Sequence, residues 1–151
     1  MNASRSGAAA GLLCLACAAV ASVAPAEEKA PAALQACGKC HMLYPAEMLP
    51  QRSWRAIVSG SAGHFGARVD LTAKERADIL SYLSAHAPDS PSATSNDRHF
   101  LSDLPSDPTP TRITETRWWR QLHADLDFQA ASPGKRKSPA DCRACHQNGF
   151  E

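Results

Sequence analysis

A surplus of either charge is missing from this sequence: 16 Lys and Arg stand against 15 Asp and Glu, for a formal net charge of +1. That balance excludes the broad basic face of a nucleic-acid binder. Spare cysteine is missing too. Of the six cysteines, Cys14 and Cys17 fall in an N-terminal leader, and the other four stand as two close pairs, so none is left over for a structural disulfide. Long apolar runs are also absent. The stretch from Ala8 to Ala24 is alanine-rich, short for a membrane span and without a stop-transfer cluster. Arg5 is the only charge before Glu27, and Ala24-Pro25-Ala26 fits a small-residue cleavage site, so residues 1–26 are expected to be a signal peptide cleaved after Ala26. A membrane anchor is the alternative. A lipid anchor on Cys14 or Cys17 lacks the usual Leu-small-small approach. Without the leader the apolar content is modest, so a mature chain of about 125 residues needs help in building a core.

What is present explains where that help comes from. The pentapeptides Cys37-Gly38-Lys39-Cys40-His41 and Cys142-Arg143-Ala144-Cys145-His146 are both C-x-x-C-H. Each reads as a site of c-type haem attachment. Two thiols one turn apart can form thioethers with the vinyl groups of one porphyrin, and the adjoining imidazole can ligate the iron. A four-cysteine zinc site is the competing reading, but zinc does not require a histidine directly after each pair. Two covalently bound haem c groups are therefore expected, each offering a flat apolar body around which side chains can pack.

The pattern between the motifs is mainly α. Pro31 precedes good helix formers leading into the first motif. Tyr44-Pro45 and Leu49-Pro50 mark a loop, and 51–59 reads as a helix with Trp54, Ile57 and Val58 on its apolar side. Gly60, Gly63 and Gly66 break it and bracket His64-Phe65. Thr72 with Glu75 forms a capping box for a third helix, whose Ile79, Leu80 and Leu83 recur at helical spacing to about Ala85. Between Ala87 and Arg112 lie five of the eleven prolines amid Ser, Thr and Asp, which predicts an extended connection, either loose or laid across the first domain. Residues 114–127 resume a helical pattern with Trp118, Trp119, Leu122, His123 and Leu126. Ser132-Pro133-Gly134 turns the chain, and Ser138 to Asp141 starts a short turn into the second motif. The run Lys135-Arg136-Lys137 either steers an acidic redox partner toward haem two or is a solvated loop beside a turn.

Each motif supplies one axial ligand, His41 or His146, and leaves one to assign. Met42 adjoins His41 and cannot reach the far face; Met48 suits the core near haem one. His64, His86, His99 and His123 remain, which favours imidazole on both sides of both irons. His64 is the choice for haem one: it lies 23 residues past His41, with glycines where backbone must approach a flat ring. His123 is the choice for haem two, one turn beyond Trp119. His86 competes from the end of the third helix, although a helix C-terminal cation is the simpler role. His99 sits in the polar connection, and pairings crossed between the motifs stay open.

These segments resemble the small dihaem cytochrome c family (DHC). The resemblance is carried in order by Cys37-Gly-Lys-Cys-His-Met-Leu-Tyr-Pro, Leu49-Pro-Gln-Arg-Ser-Trp54, His64-Phe-Gly66, Tyr82-Leu83, Arg112-Ile-Thr-Glu-Thr116, Trp118-Trp119 with His123, and Cys142-Arg-Ala-Cys-His146. It implies a cytochrome c-like helical domain around haem one (27–87), then an irregular proline-rich extension with a helix around haem two (88–151). It also implies a periplasmic electron carrier with bis-histidine haems, whose distal positions match His64 and His123. The implied partners are redox proteins, among them an oxygen-binding monohaem cytochrome c or a membrane b-type cytochrome; a monomer is expected. Family members tend to continue further past the second motif than Gln147–Glu151 does, so thinner cover over haem two is expected. The rival class is a dihaem enzyme of peroxidase type, or a gas sensor, with one open iron site.

Overall fold

The computed structural model describes residues 29–127 and 139–149. The leader 1–26, the turn at 132–134 and the basic run 135–137 lie outside them. Among the described residues all regular structure is helical. The α-helices are α1 (Gln51–Ser59), α2 (Ala73–Ala85), α3 (Ser95–Arg98) and α4 (Arg117–Leu122). Short 3-10 turns at Ala32–Lys39, Ala46–Met48, Ser61–Gly66, His99–Leu101, Ile113–Glu115 and Cys142–Ala144 link them. No described helix is long and apolar enough to cross a membrane.

The core forms where α1 lies on α2. Trp54 and Val58 face Ile79 and Leu83, and Leu34, Ala46, Leu49 and Ala87 close the cluster. The indole Nε1–H of Trp54 donates to the Ala46 carbonyl at 2.7 Å, so the one polar atom of that ring is satisfied inside the core. Helix α1 begins behind Pro50, which has no side chain to cap it; Asp89 does so instead. Its Oδ1 accepts from the Gln51 amide at 2.8 Å, and its carbonyl accepts from Gln51 Nε2 at 3.1 Å. The proline-rich segment is thereby tied to α1 from its start. Arg52 adds two bonds, donating to the carbonyls of Ser106 (3.0 Å) and Pro105 (2.5 Å). Of the two courses open for this segment, it takes the one across the first helices.

Helix α2 carries the expected capping box: Thr72 Oγ1 accepts from the Glu75 amide at 3.2 Å, and Glu75 Oε2 accepts from the Thr72 amide at 2.8 Å. Replacing Thr72 with alanine is expected to lower stability by about 1 kcal/mol, read as a lower denaturant midpoint with unchanged slope.

Two local expectations are corrected. The connection is not wholly extended, because Thr94 and Asp97 form a second capping box that starts α3, using Asp where Glu or Gln is usual. The helical pattern of 114–127 yields only Arg117–Leu122. Thr116 is the effective N-cap, accepting from the Trp119 amide at 3.4 Å while its own hydroxyl donates to the Ile113 carbonyl at 2.6 Å.

Candidate haem sites

At the first motif His41 emerges from the end of the 3-10 turn Ala32–Lys39. Its ring stacks on Tyr44, with centroids 4.7 Å apart, and its Nδ1 lies 2.6 Å from the Met42 carbonyl oxygen. Donation to that carbonyl keeps the proton on Nδ1 and leaves Nε2 as the metal-facing nitrogen. His64 faces His41 from the segment after α1, with ring centroids 6.2 Å apart and planes at 26°. Burial, and then the charge of His41, lower the His64 pKa, which favours the neutral imidazole that can ligate. The chain reverses sharply just after it: Phe65 has φ 49° and Gly66 φ +90°. A Cβ on Gly63 or Gly66 would meet no atom within 4 Å, so Gly66 is required by its backbone angle, not by crowding from the chain itself.

At the second motif the turn Cys142–Ala144 closes on itself, with the His146 amide donating to the Cys142 carbonyl at 2.7 Å. His123 is the C-cap of α4; its ring stacks on Trp119 at 4.4 Å, and its Nδ1 lies 2.8 Å from the Trp119 carbonyl oxygen. Again Nε2 is the nitrogen left outward. The centroids of His123 and His146 stand 6.3 Å apart, with planes at 68°.

Both separations have a simple physical meaning. Metal–imidazole bonds of about 2.0–2.1 Å on opposite sides of one ion place in-line ring centroids roughly 6.3 Å apart. The fold thus brings His64 to His41 and His123 to His146 at a spacing that fits one iron between each pair. His86 is placed elsewhere: it is the C-cap of α2, with Nδ1 2.9 Å from the Tyr82 carbonyl and its ring against Tyr82. His99 pairs with the Asn96 carbonyl and stacks on Phe100. Met48 is buried as expected but lines the cavity of the second site, not the first.

Each pair opens on a cavity of the size of a ligand site, about 660 Å³ at site one and about 480 Å³ at site two. Leu34, Trp54, Val58, Ile79 and Leu83 wall the first. Trp118, Trp119, Leu122 and Leu126 wall the second. The helical stripe of α4 therefore faces a cavity rather than the α1–α2 core, and Leu122 is 72% exposed. Trp118 is buried and its Nε1–H has no partner among the described residues, a donor suited to a carboxylate of a porphyrin. Burial raises the Cys37 and Cys142 thiols above the ordinary cysteine range, favouring their protonated form. The residues fit haem at both positions.

The two sites adjoin. Arg143, inside the second motif, donates to the carbonyl of Gly38, inside the first, at 3.0 Å. The Tyr44 hydroxyl donates to the Ala140 carbonyl at 3.3 Å, and Tyr44, Ile113, Asp141 and Cys142 line both cavities. Tyr44 keeps its proton: burial first, and then its interaction with the neighbouring Cys142 and the charge of Asp141, raise its pKa well above the ordinary phenol range. Nothing in the sequence pattern pointed to the Arg143–Gly38 contact, which joins residues 105 positions apart.

Paired thiols, a following imidazole and an apolar slot answer the needs of one planar iron macrocycle, and the molecule provides for two; it is of the c-type dihaem class. The model of the dihaem cytochrome c family (DHC) matches residues 33–150, and the chain belongs to that family, with two covalently bound haem c groups as its cofactors. Among solved structures it is similar to the dihaem cytochrome c from Rhodobacter sphaeroides, with 38% identity over 76% of this chain and 88% of that one and a TM-score of 0.66. A second structure, of DHC purified from Rhodobacter sphaeroides, shows 34% identity over the same shares and a TM-score of 0.58. The dihaem cytochrome c of Shewanella baltica OS155 matches at 29% identity over 76% of this chain and 77% of that one, with a TM-score of 0.56. No curated protein matches.

Proposed function

We propose that this chain is a periplasmic electron carrier whose irons are held by His41 with His64 and by His146 with His123. The single observation that carries the reading is the pair of imidazole separations, 6.2 and 6.3 Å. Held by His41 with His64 and by His146 with His123, the two irons would offer no place for substrate. The haems supply one-electron Fe(III)/Fe(II) chemistry; the chain's residues do the rest. Met42 and Trp119 carbonyls hold two of the ligating rings in one tautomer and orientation. The apolar walls limit water around the sites, and imidazole in place of methionine sets the potentials below those of His/Met cytochromes.

Its partners on this reading are a membrane or soluble donor and a haem-protein acceptor, an oxygen-binding monohaem cytochrome c or a membrane b-type cytochrome being the candidates that the family suggests. A carbon monoxide titration of the reduced holoprotein tests the class. No spectral change is expected. Rapid stoichiometric binding would mean an open iron and would favour a peroxidase-like enzyme or a gas sensor.

A further inference from the structure

The two cavities differ most in charge. Among the described residues, the lining of site one includes a single guanidinium, Arg112, and one carboxylate, Asp141. Among the described residues, which do not include the run Lys135-Arg136-Lys137, the lining of site two includes Glu47, Asp97 and the same Asp141, and no Lys or Arg. Arg112 belongs to the proline-rich connection, yet its guanidinium carbon stands 4.4 Å from the centroid of Phe65, the residue directly after His64. Its Nε lies 3.6 Å from Glu115 Oε1. Half-exposed, with an aromatic ring on one face and Glu115 beside one edge, this guanidinium keeps its terminal N–H groups for a further carboxylate. Site two has a different kind of donor, the buried Trp118 Nε1–H, which is neutral and has no partner among the described residues.

We propose that Arg112 holds a propionate carboxylate of the haem at site one, that Trp118 does so at site two, and that this difference makes site one the higher-potential centre, the one reduced first. The inference deepens the carrier reading and rests on it. A fixed cation disfavours the more positive ferric state, while nearby carboxylates favour it, so the two linings displace the potentials in opposite directions. Glu115 and solvent screen Arg112. At an effective dielectric of about 20 an unscreened unit charge about 12 Å away biases the oxidised-to-reduced ratio roughly tenfold, which for one electron is about 59 mV, and the half-exposed, Glu115-paired Arg112 gives less than that.

The test is a potentiometric titration of the holoprotein followed by low-temperature EPR, which can tell the sites apart. Near-parallel imidazoles, as at site one (26°), give a rhombic low-spin spectrum; strongly crossed ones, as at site two (68°), give a single large-g feature. His123→Ala, which changes the signal of site two alone, secures the assignment. On lowering the potential, the rhombic signal is expected to vanish first. Arg112→Gln should lower the site-one midpoint, by less than the unscreened tenfold bias above, and leave site two in place; Glu115→Gln should raise it. Loss of the large-g signal first, or an unmoved site-one midpoint in Arg112→Gln, overturns the proposal. If Arg112→Gln yields no holoprotein, Glu115→Gln decides: a rise supports the proposal and no change rejects it. A carbon monoxide-binding iron in the unaltered protein instead overturns the carrier reading beneath it.

Discussion

Replacing His123 with alanine is expected to turn one low-spin iron per chain into a high-spin, carbon monoxide-binding one; His64→Ala should do the same at the other site, and the double variant at both. Alanine brings no donor, and the remaining histidines are held away by their own contacts, His86 by Tyr82 and His99 by Phe100 and Asn96. The change is large because it is all-or-none, from no bound carbon monoxide to one equivalent. Electronic absorption of the reduced protein with and without carbon monoxide reads it directly. One side outcome is informative at site two. Met48 lines that cavity, so a variant that stays low-spin with a raised potential has captured the thioether. A His64→Ala protein that remains low-spin and inert to carbon monoxide contradicts the assignment at site one.

Trp54→Ala is expected to cost about 3–5 kcal/mol, a large part of a stability of about 5–15 kcal/mol for a domain. Trp54 is 5% exposed, belongs to the core between α1 and α2, and also lines the first cavity. The variant loses buried ring surface, leaves a void beside haem one and strips the Ala46 carbonyl of its 2.7 Å partner. Trp54→Phe separates the terms: it keeps most of the apolar contact and loses the hydrogen bond, for about 1–3 kcal/mol. Guanidinium unfolding of the holoprotein measures both. Equal midpoints for Trp54→Ala and the unaltered protein would mean that the haem, not this cluster, dominates the stability of the first helices.

Much of the local structure was legible because its causes are local. The span Gln51–Ser59 follows from Pro50 before it and Gly60 after it, and α2 from the reciprocal bonds of Thr72 and Glu75. Where a reading missed, the deciding interaction was weak or remote. Helix α3 starts from a Thr-x-x-Asp box inside a stretch whose composition resembles a linker. Helix α4 is shorter than its apolar stripe, since Trp119, Leu122 and Leu126 mark a cavity wall that extends past the hydrogen-bonded helix. Arg112 belonged to a recognisable segment, but no spacing rule indicated that it would line site one from a connection remote in sequence from both motifs.

The sequence by itself determined the chemistry: two C-x-x-C-H motifs specify two covalent haems, and a count of the other histidines and methionines narrows the remaining ligands. Covalent attachment and ligand type are properties of residues a few positions apart, so a linear reading reaches them. Only the tertiary structure decided which histidine faces which motif, that the two sites share a wall at Tyr44, Ile113, Asp141 and Cys142, and that their linings differ in charge. Those are relations between segments as far apart as Gly38 and Arg143, set by how α1, α2 and the proline-rich connection pack, and packing is a property of the whole chain.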